Sequence, residues 1–234
     1  MKTLIIATRN AHKVEEIRAI LGHACQYLTL RDFPDAPKVI EDAETFAGNA
    51  TKKSVELAKW ISTRAANDAR LATAFVLADD SGLEVDALGG APGVHSARFA
   101  ALEKSGHANS PDADNNAKLL KLLANAPAEK RTARFRCVLA LTPVLRAAEE
   151  NASPVCAADE WELGTEIFDG ACEGRIGFEA RGGGGFGYDP LFTPMGYDQT
   201  FGELPAEVKN RLSHRARALE KLRERLEKLA AKGE

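Results

Sequence analysis

The chain has 234 residues, is 44% hydrophobic and 28% charged, and carries a formal net charge of -3. This is ordinary for a soluble globular protein and long enough to bury a core as one domain or two close lobes. The balance excludes broad electrostatic binding to nucleic acid, which needs a dense basic footprint, but leaves room for a small anion in a local basic pocket. The opening residues have too short an apolar run for a signal peptide, and no stretch is long enough to span a membrane. The four cysteines (Cys25, Cys137, Cys156, Cys172) have no zinc spacing, so free thiols in a reducing cytoplasm are expected.

In chain order, residues 2–7 read as a buried strand and residues 11–21 as a helix with Val14, Ile17, Ile20 and Leu21 at helical spacing. Strand, polar turn and helix open an α/β unit. A helix is expected over 45–66 and a short apolar strand over 74–78, with a turn at Gly89–Gly93. Residues 103–115 read as a mobile surface loop, 118–123 as a helix and 133–141 as a strand. A hairpin tip is expected over 146–154, with strands over 155–161 and 164–169. Gly182–Gly185 forms a glycine loop, and 206–232 reads as one long helix. Its apolar pattern lasts under three heptads, which favours docking on a sheet over a coiled coil.

Five segments carry chemistry. Thr8-Arg9-Asn10-Ala11-His12-Lys13 joins a strand to a helix N-terminus, where free amides and the dipole suit phosphate; it is not a P-loop. Its alternative is a solvated turn with Asn10 as a cap. Asp79 and Asp80 fall at the expected carboxyl end of a strand, where a carboxylate can hold magnesium or accept a proton from water. Their alternative is an Asx turn through Asp80-Ser81-Gly82. Glu41, Asp42 and Glu44 form a second acidic cluster, for which a solvated loop before a helix is the favoured reading from the residues alone. After the glycine run, Phe186 and Tyr188 are placed to stack on a base and Asp189 to accept from its edge; otherwise they anchor a loop. Lys209, His214 and Arg215 read as donors to purine carbonyls, with Ser213 as a helix cap, or as a basic face in solvent.

Together these segments resemble the inosine/xanthosine triphosphate pyrophosphatase (ITPase-like) family. The resemblance runs from Leu4 to Leu219 and also rests on Thr45-Phe46-Ala47-Gly48-Asn49-Ala50 and Leu88-Gly89-Gly90-Ala91-Pro92-Gly93. It implies an α/β fold, a single ITPase-like domain over 1–234, with a long central mixed sheet, flanking helices and two lobes around a nucleotide-binding cleft. It implies magnesium dependence, a homodimer, and hydrolysis of ITP, dITP or XTP to monophosphate and pyrophosphate. Carried over by position, Asp80 matches the proton acceptor and, with Glu41, the metal ligands. Thr8 to Lys13, Lys53, Ser81 and Arg98 match contacts to the phosphates and substrate. Phe186, Gly187, Tyr188, Asp189, Lys209, His214 and Arg215 match the remaining nucleotide contacts. Arg9 stands where the family usually has glycine, and Ala47-Gly48 replaces its common acidic pair.

Overall fold

The computed structural model describes residues 2–65, 68, 70–104, 108–145 and 161–231. The strands are β1 (Thr3–Ile6), β2 (Gln26–Thr29), β3 (Phe75–Val85), β4 (Thr132–Pro143), β5 (Glu166–Ile176) and β6 (Phe192–Pro194). They form one sheet in the order β2-β1-β3-β4-β5-β6. β1 pairs parallel with β2 and β3, and β5 pairs antiparallel with β6, so the sheet is mixed, as expected. Parallel pairs need crossovers. Helix α1 (Ala11–Leu21) makes the first, and α2 (Phe46–Ser62) lies in the second. The remaining helices are α3 (Asp112–Leu122), α4 (Ala206–Leu212) and α5 (His214–Ala231).

By contacts the chain divides into two compact units. Unit 1 comprises 1–80, 138–168 and 218–234; unit 2 comprises 81–137 and 169–217. The core of unit 1 gathers Ile5, Leu57, Ala58, Ile61, Val76 and Ala78. The core of unit 2 gathers Leu83, Phe135, Tyr188, Phe192 and Phe201. Each fully buried Leu, Ile or Phe contributes about 1.5–3 kcal/mol, so both units have an apolar core of ordinary strength.

Several expectations are corrected. β3 runs from Phe75 to Val85 rather than ending at 78, so Asp79-Asp80-Ser81-Gly82 lies inside a strand and is neither a strand end nor an Asx turn. The four residues are polar or flexible in isolation, and pairing within the sheet overrides that local preference. α2 stops at Ser62, short of 66, where Thr63 caps it. α3 starts at Asp112, inside the expected loop, because acidic residues Asp112 and Asp114 suit a first helical turn. The expected single helix over 206–232 is two helices. Ser213 breaks it with ψ 160°, and its Oγ accepts from Ala216 N at 3.1 Å. Downstream, Leu222, Leu226 and Leu229 of α5 are buried, which is the docked arrangement. β2 and β6 are short and carry no strong sequence signal. The expected hairpin tip, and all but Trp161 of the expected 155–161 strand, lie outside the described residues; Trp161 itself begins a short helical turn.

Cys25, Cys137 and Cys172 are buried thiols outside any disulfide; Cys156 lies outside the described residues. Burial pushes the Cys172 thiol up to about 11, so it is poorly reactive near neutrality.

Candidate functional site

In unit 1 the site grows from the β1–α1 turn. Asn10 caps α1, its Oδ1 accepting from Lys13 N at 3.2 Å, and Asn10 N donates to Thr8 Oγ1 at 3.1 Å. The cap and the phosphate reading therefore share one geometry, a helix N-terminus whose Lys13 amide is taken by the Asn10 cap. Arg9 Nη2 donates to Ala36 O at 3.2 Å, which ties the turn to the segment beyond β2. Ala11 is exposed at the helix start, and His12 Nδ1 lies 3.8 Å from Glu15 on the exposed face.

Lys13 leaves α1 for the sheet. Its Nζ donates to Asp79 Oδ1 at 2.5 Å, and the Asp79 side chain is almost wholly buried. Lys53, from α2, donates to the Asp79 carbonyl at 2.8 Å. The same ammonium stands 3.4 Å from Glu41 Oε1 and 3.5 Å from Asp80 Oδ1. Two lysines thus face three carboxylates, leaving one negative charge in excess. Asp80 is only 6% exposed, and its Oδ2 has no hydrogen-bond partner among the described residues. Burial pushes its carboxyl above the usual aspartate range, with Glu41 adding to the rise; Lys53, Lys13 and the neighbouring Asn49 amide oppose it.

The Glu41 loop is held by buried Asn49. Asn49 Oδ1 accepts from Ala43 N at 3.0 Å, and its Nδ2 donates to Ala43 O at 3.3 Å. Thr45 caps α2 through Gly48 N at 3.0 Å. Asn49 fixes the backbone beside Glu41 without an acidic pair at 47–48. Asp79, paired with Asp80 as a candidate carboxylate in the sequence, is a supporting residue engaged by Lys13, and Asn49 is a supporting residue with no role assigned from the sequence. An acidic residue beside a stronger candidate, and an asparagine in a helix, give little signal alone.

As a metal site, Asp80 offers a buried oxygen lacking a donor, and Glu41 a half-buried carboxylate sharing its cation neighbour. Among the described residues no group of three or more His, Cys, Asp or Glu is placed to hold a metal. Two protein carboxylates suit Mg²⁺, which keeps several waters and takes substrate phosphate oxygens for the rest of its shell. The residues present fit that ion.

In unit 2, β3 continues with Ser81, whose Oγ accepts from Arg215 Nη2 at 3.2 Å. Arg215 is 1% exposed, and its guanidinium carbon lies 5.8 Å from the Phe186 ring centroid. The Ser213 break is what presents His214 and Arg215 at a helix N-terminus. His214 is buried and stacks on Phe135, centroids 4.8 Å apart and planes within 13°. Arg98 sits at the one non-helical step of the 3-10 run Gly93–Lys104.

The Phe186–Asp189 turn differs from expectation in two ways. Tyr188 belongs to the core of unit 2 and donates its hydroxyl to Ser96 O at 2.9 Å, and burial raises its pKa. Its ring is therefore occupied by packing, and half-buried Phe186 is the better stacking face. Asp189 Oδ2 is already engaged, accepting from Lys209 Nζ at 2.6 Å and Phe186 N at 2.8 Å. This carboxylate oxygen fixes the turn rather than reading a base edge. Lys209 Nζ lies 4.7 Å from the Phe186 ring centroid, so the pair also supports the ring.

Gly185 is dictated by this pairing. It has φ +74°, and a Cβ there would lie 2.1 Å from Asp189 Oδ2. Gly185→Ala is expected to cost about 1–3 kcal/mol. A urea midpoint equal to the parent's would show that the Asp189 carboxylate is not seated as described.

A family model described as the Ham1 family matches residues 4–225. A dITP/XTP pyrophosphatase of Desulforamulus reducens is 46% identical over 228 residues, covering 97% of this chain and 96% of that protein. One from Geobacillus kaustophilus is 44% identical over 230 residues, covering 98% of this chain and 96% of that protein. Among solved structures, a HAM1 protein from Coxiella burnetii aligns with a TM-score of 0.72 at 33% identity, covering 97% of this chain and 100% of that one. A nucleoside-triphosphatase, dITP/XTP pyrophosphatase, from Mycobacterium abscessus gives a TM-score of 0.66 at 33% identity, covering 94% of this chain and 98% of that one.

Proposed function

The chain belongs to the Ham1 family, and from that membership and the chemistry of its site residues we propose that it hydrolyses nonstandard purine nucleoside triphosphates. The substrates are ITP or dITP and XTP or dXTP, and the products are the nucleoside monophosphate and pyrophosphate, so the reaction cleanses the nucleotide pool. The observation that carries the reading is Asp80: a buried carboxylate with an unpartnered oxygen, beside Lys53, Glu41 and the helix turn at 8–13.

In this reading the α1 amides, Thr8 and Asn10 bind phosphate oxygens, with Arg9, Ala11 and His12 shaping the turn. Lys13 and Lys53 set positive charge against the oxygens where negative charge develops, which is commonly the largest catalytic contribution. Glu41 and Asp80 would hold Mg²⁺, which when bound supplies further positive charge to the phosphates. Asp80 accepts the proton of the attacking water. Ser81 and Arg98 contact the substrate. Phe186 stacks on the base, Gly187 lines its edge, and Arg215 and His214 donate to the 6-keto oxygen. Tyr188, Asp189 and Lys209 hold this surface in shape. Adenine's amine facing those donors leaves both unpaired, a loss of about 1–3 kcal/mol per buried group.

The same reading makes the protein a cytoplasmic homodimer. Sedimentation at twice the 25.2 kDa chain mass checks the dimer. Among the described residues no helix is long and apolar enough to cross a membrane.

The reaction is tested by following pyrophosphate and monophosphate release from dITP, XTP, dGTP, ATP and dTTP, with Mg²⁺ and with EDTA. Release of both products, strongest from dITP or XTP and abolished by EDTA, is expected. Tight binding of dITP with no turnover would replace the enzyme by a nucleotide sensor. Turnover in EDTA equal to that in Mg²⁺ would remove the metal role of Glu41 and Asp80.

A further inference from the structure

Helix α3 grips the Phe186 turn at a single residue. Gly187 N donates to Asp112 Oδ2 at 2.6 Å, and Gly187 O accepts from Asn116 Nδ2 at 3.0 Å. Asp112 and Asn116 are one helical turn apart and share a face of α3. The helix therefore holds both backbone polar groups of the residue that follows Phe186. It is itself tied down: Asn115 Oδ1 accepts from Ala100 N at 2.8 Å, and Lys118 Nζ donates to Phe99 O at 2.9 Å.

Asn116 is costly at its position. Its Oδ1 is buried with no hydrogen-bond partner among the described residues. Leaving an amide oxygen dry disfavours folding, and an apolar side chain of similar size would not incur that cost. Packing alone gives no reason for an amide here, whereas the bond to the Gly187 carbonyl does. Asp112 is exposed, so burial does not explain it either; its carboxylate is spent on the Gly187 amide.

We infer that Asp112 and Asn116 are positioning residues that hold the Phe186 ring in the orientation in which the purine stacks. They set the affinity for the base and take no part in the phosphate chemistry. The inference rests on the proposal that Phe186 meets the base. A contact equally strong in ground and transition states, when lost, raises KM and leaves kcat alone. Pyrophosphate, which has no base, does not sense the clamp.

The experiment compares D112A, D112N, N116A and N116D with the parent for dITP hydrolysis, for competitive inhibition by pyrophosphate, and for amide exchange of residues 182–190. D112A and N116A should each raise KM about 5–20-fold with kcat within about 2-fold, and leave the pyrophosphate inhibition constant unchanged. N116D should be worse than N116A, because a carboxylate then faces the Gly187 carbonyl. D112N keeps an acceptor for Gly187 N and should recover KM to within about 3-fold of the parent. Exchange over 182–190 should quicken in D112A and N116A. Unchanged KM with unchanged exchange overturns the inference. So does a fall in kcat, or a weaker pyrophosphate inhibition, that matches the change in KM, since the residues would then act on the whole fold. If the parent itself fails to turn over dITP, the proposed reaction fails, and the exchange measurement still decides whether α3 clamps the turn.

Discussion

Asp80→Asn is expected to lower kcat by about 10³-fold or more while raising the thermal midpoint of the metal-free protein. Both effects have one origin. Asp80 is buried beside Glu41 and keeps one oxygen without a donor, so its ionised form is disfavoured in the folded chain. Because its folded pKa lies above the usual 3.8, the folded chain binds more protons than the unfolded chain between those two values. The stability contributed by this carboxyl is therefore present in acid and lost as pH rises through that window. The amide has nothing to lose. A gain of about 1 kcal/mol corresponds to a midpoint about 2–4 °C higher for a chain of this size. Calorimetry in EDTA at pH 4 and pH 8 checks it: the two proteins should differ most at the higher pH. A variant that is inactive but less stable at pH 8 would show that Asp80 is held by contacts and not tolerated for its chemistry.

Asp189→Ala is expected to destabilise the protein by about 3–5 kcal/mol, the largest loss predicted for any single site residue. The Lys209–Asp189 pair is buried on both sides, at 6% and 3% side-chain exposure. Removing the carboxylate takes the counter-charge from a buried ammonium and the acceptor from Phe186 N together. Lys209→Met in the same chain removes the stranded charge, and the double variant should recover more than half of the lost stability. It should not recover affinity for dITP, because the Phe186 turn still lacks its acceptor. Urea unfolding of the three variants measures the first claim and KM the second. A double variant no more stable than Asp189→Ala would mean that the turn geometry, not the ammonium, carries the cost.

These two residues show what could be read from the sequence. The β1–α1 opening was legible because apolar spacing, a cap at Asn10 and the bounds of the helix agree with one another, and the helix spans 11–21 in the structure. The acidic pair was legible as chemistry but not as structure. Asp-Asp-Ser-Gly has the composition of a turn, and only the neighbouring strands and the lysines reaching from α1 and α2 make it a strand. Asp189 and Tyr188 stand out in the sequence beside the glycine run, but the structure gives both a packing role that the sequence does not show. Their partners, Lys209 and Ser96, are 20 and 92 residues distant, and sequence pattern carries no information about pairing at that range. A helix cap at Ser213 and an uninterrupted helix over 206–232 are incompatible, and the cap is the sounder signal.

The placement of Asp79 and Asp80 within β3 also bears on how the gene can change length. Side chains alternate across a strand, so losing or gaining one codon between residues 75 and 85 exchanges the two faces for everything downstream. A loss ahead of Asp79 would put Asp80 in the place of Asp79, and would turn Leu83 and Val85 away from the core that they now help to build. A turn with the same four residues would absorb such a change by rearranging locally. This segment therefore tolerates substitution in places but has no slack for insertion or deletion, and length variation among working copies of the gene is expected to fall elsewhere.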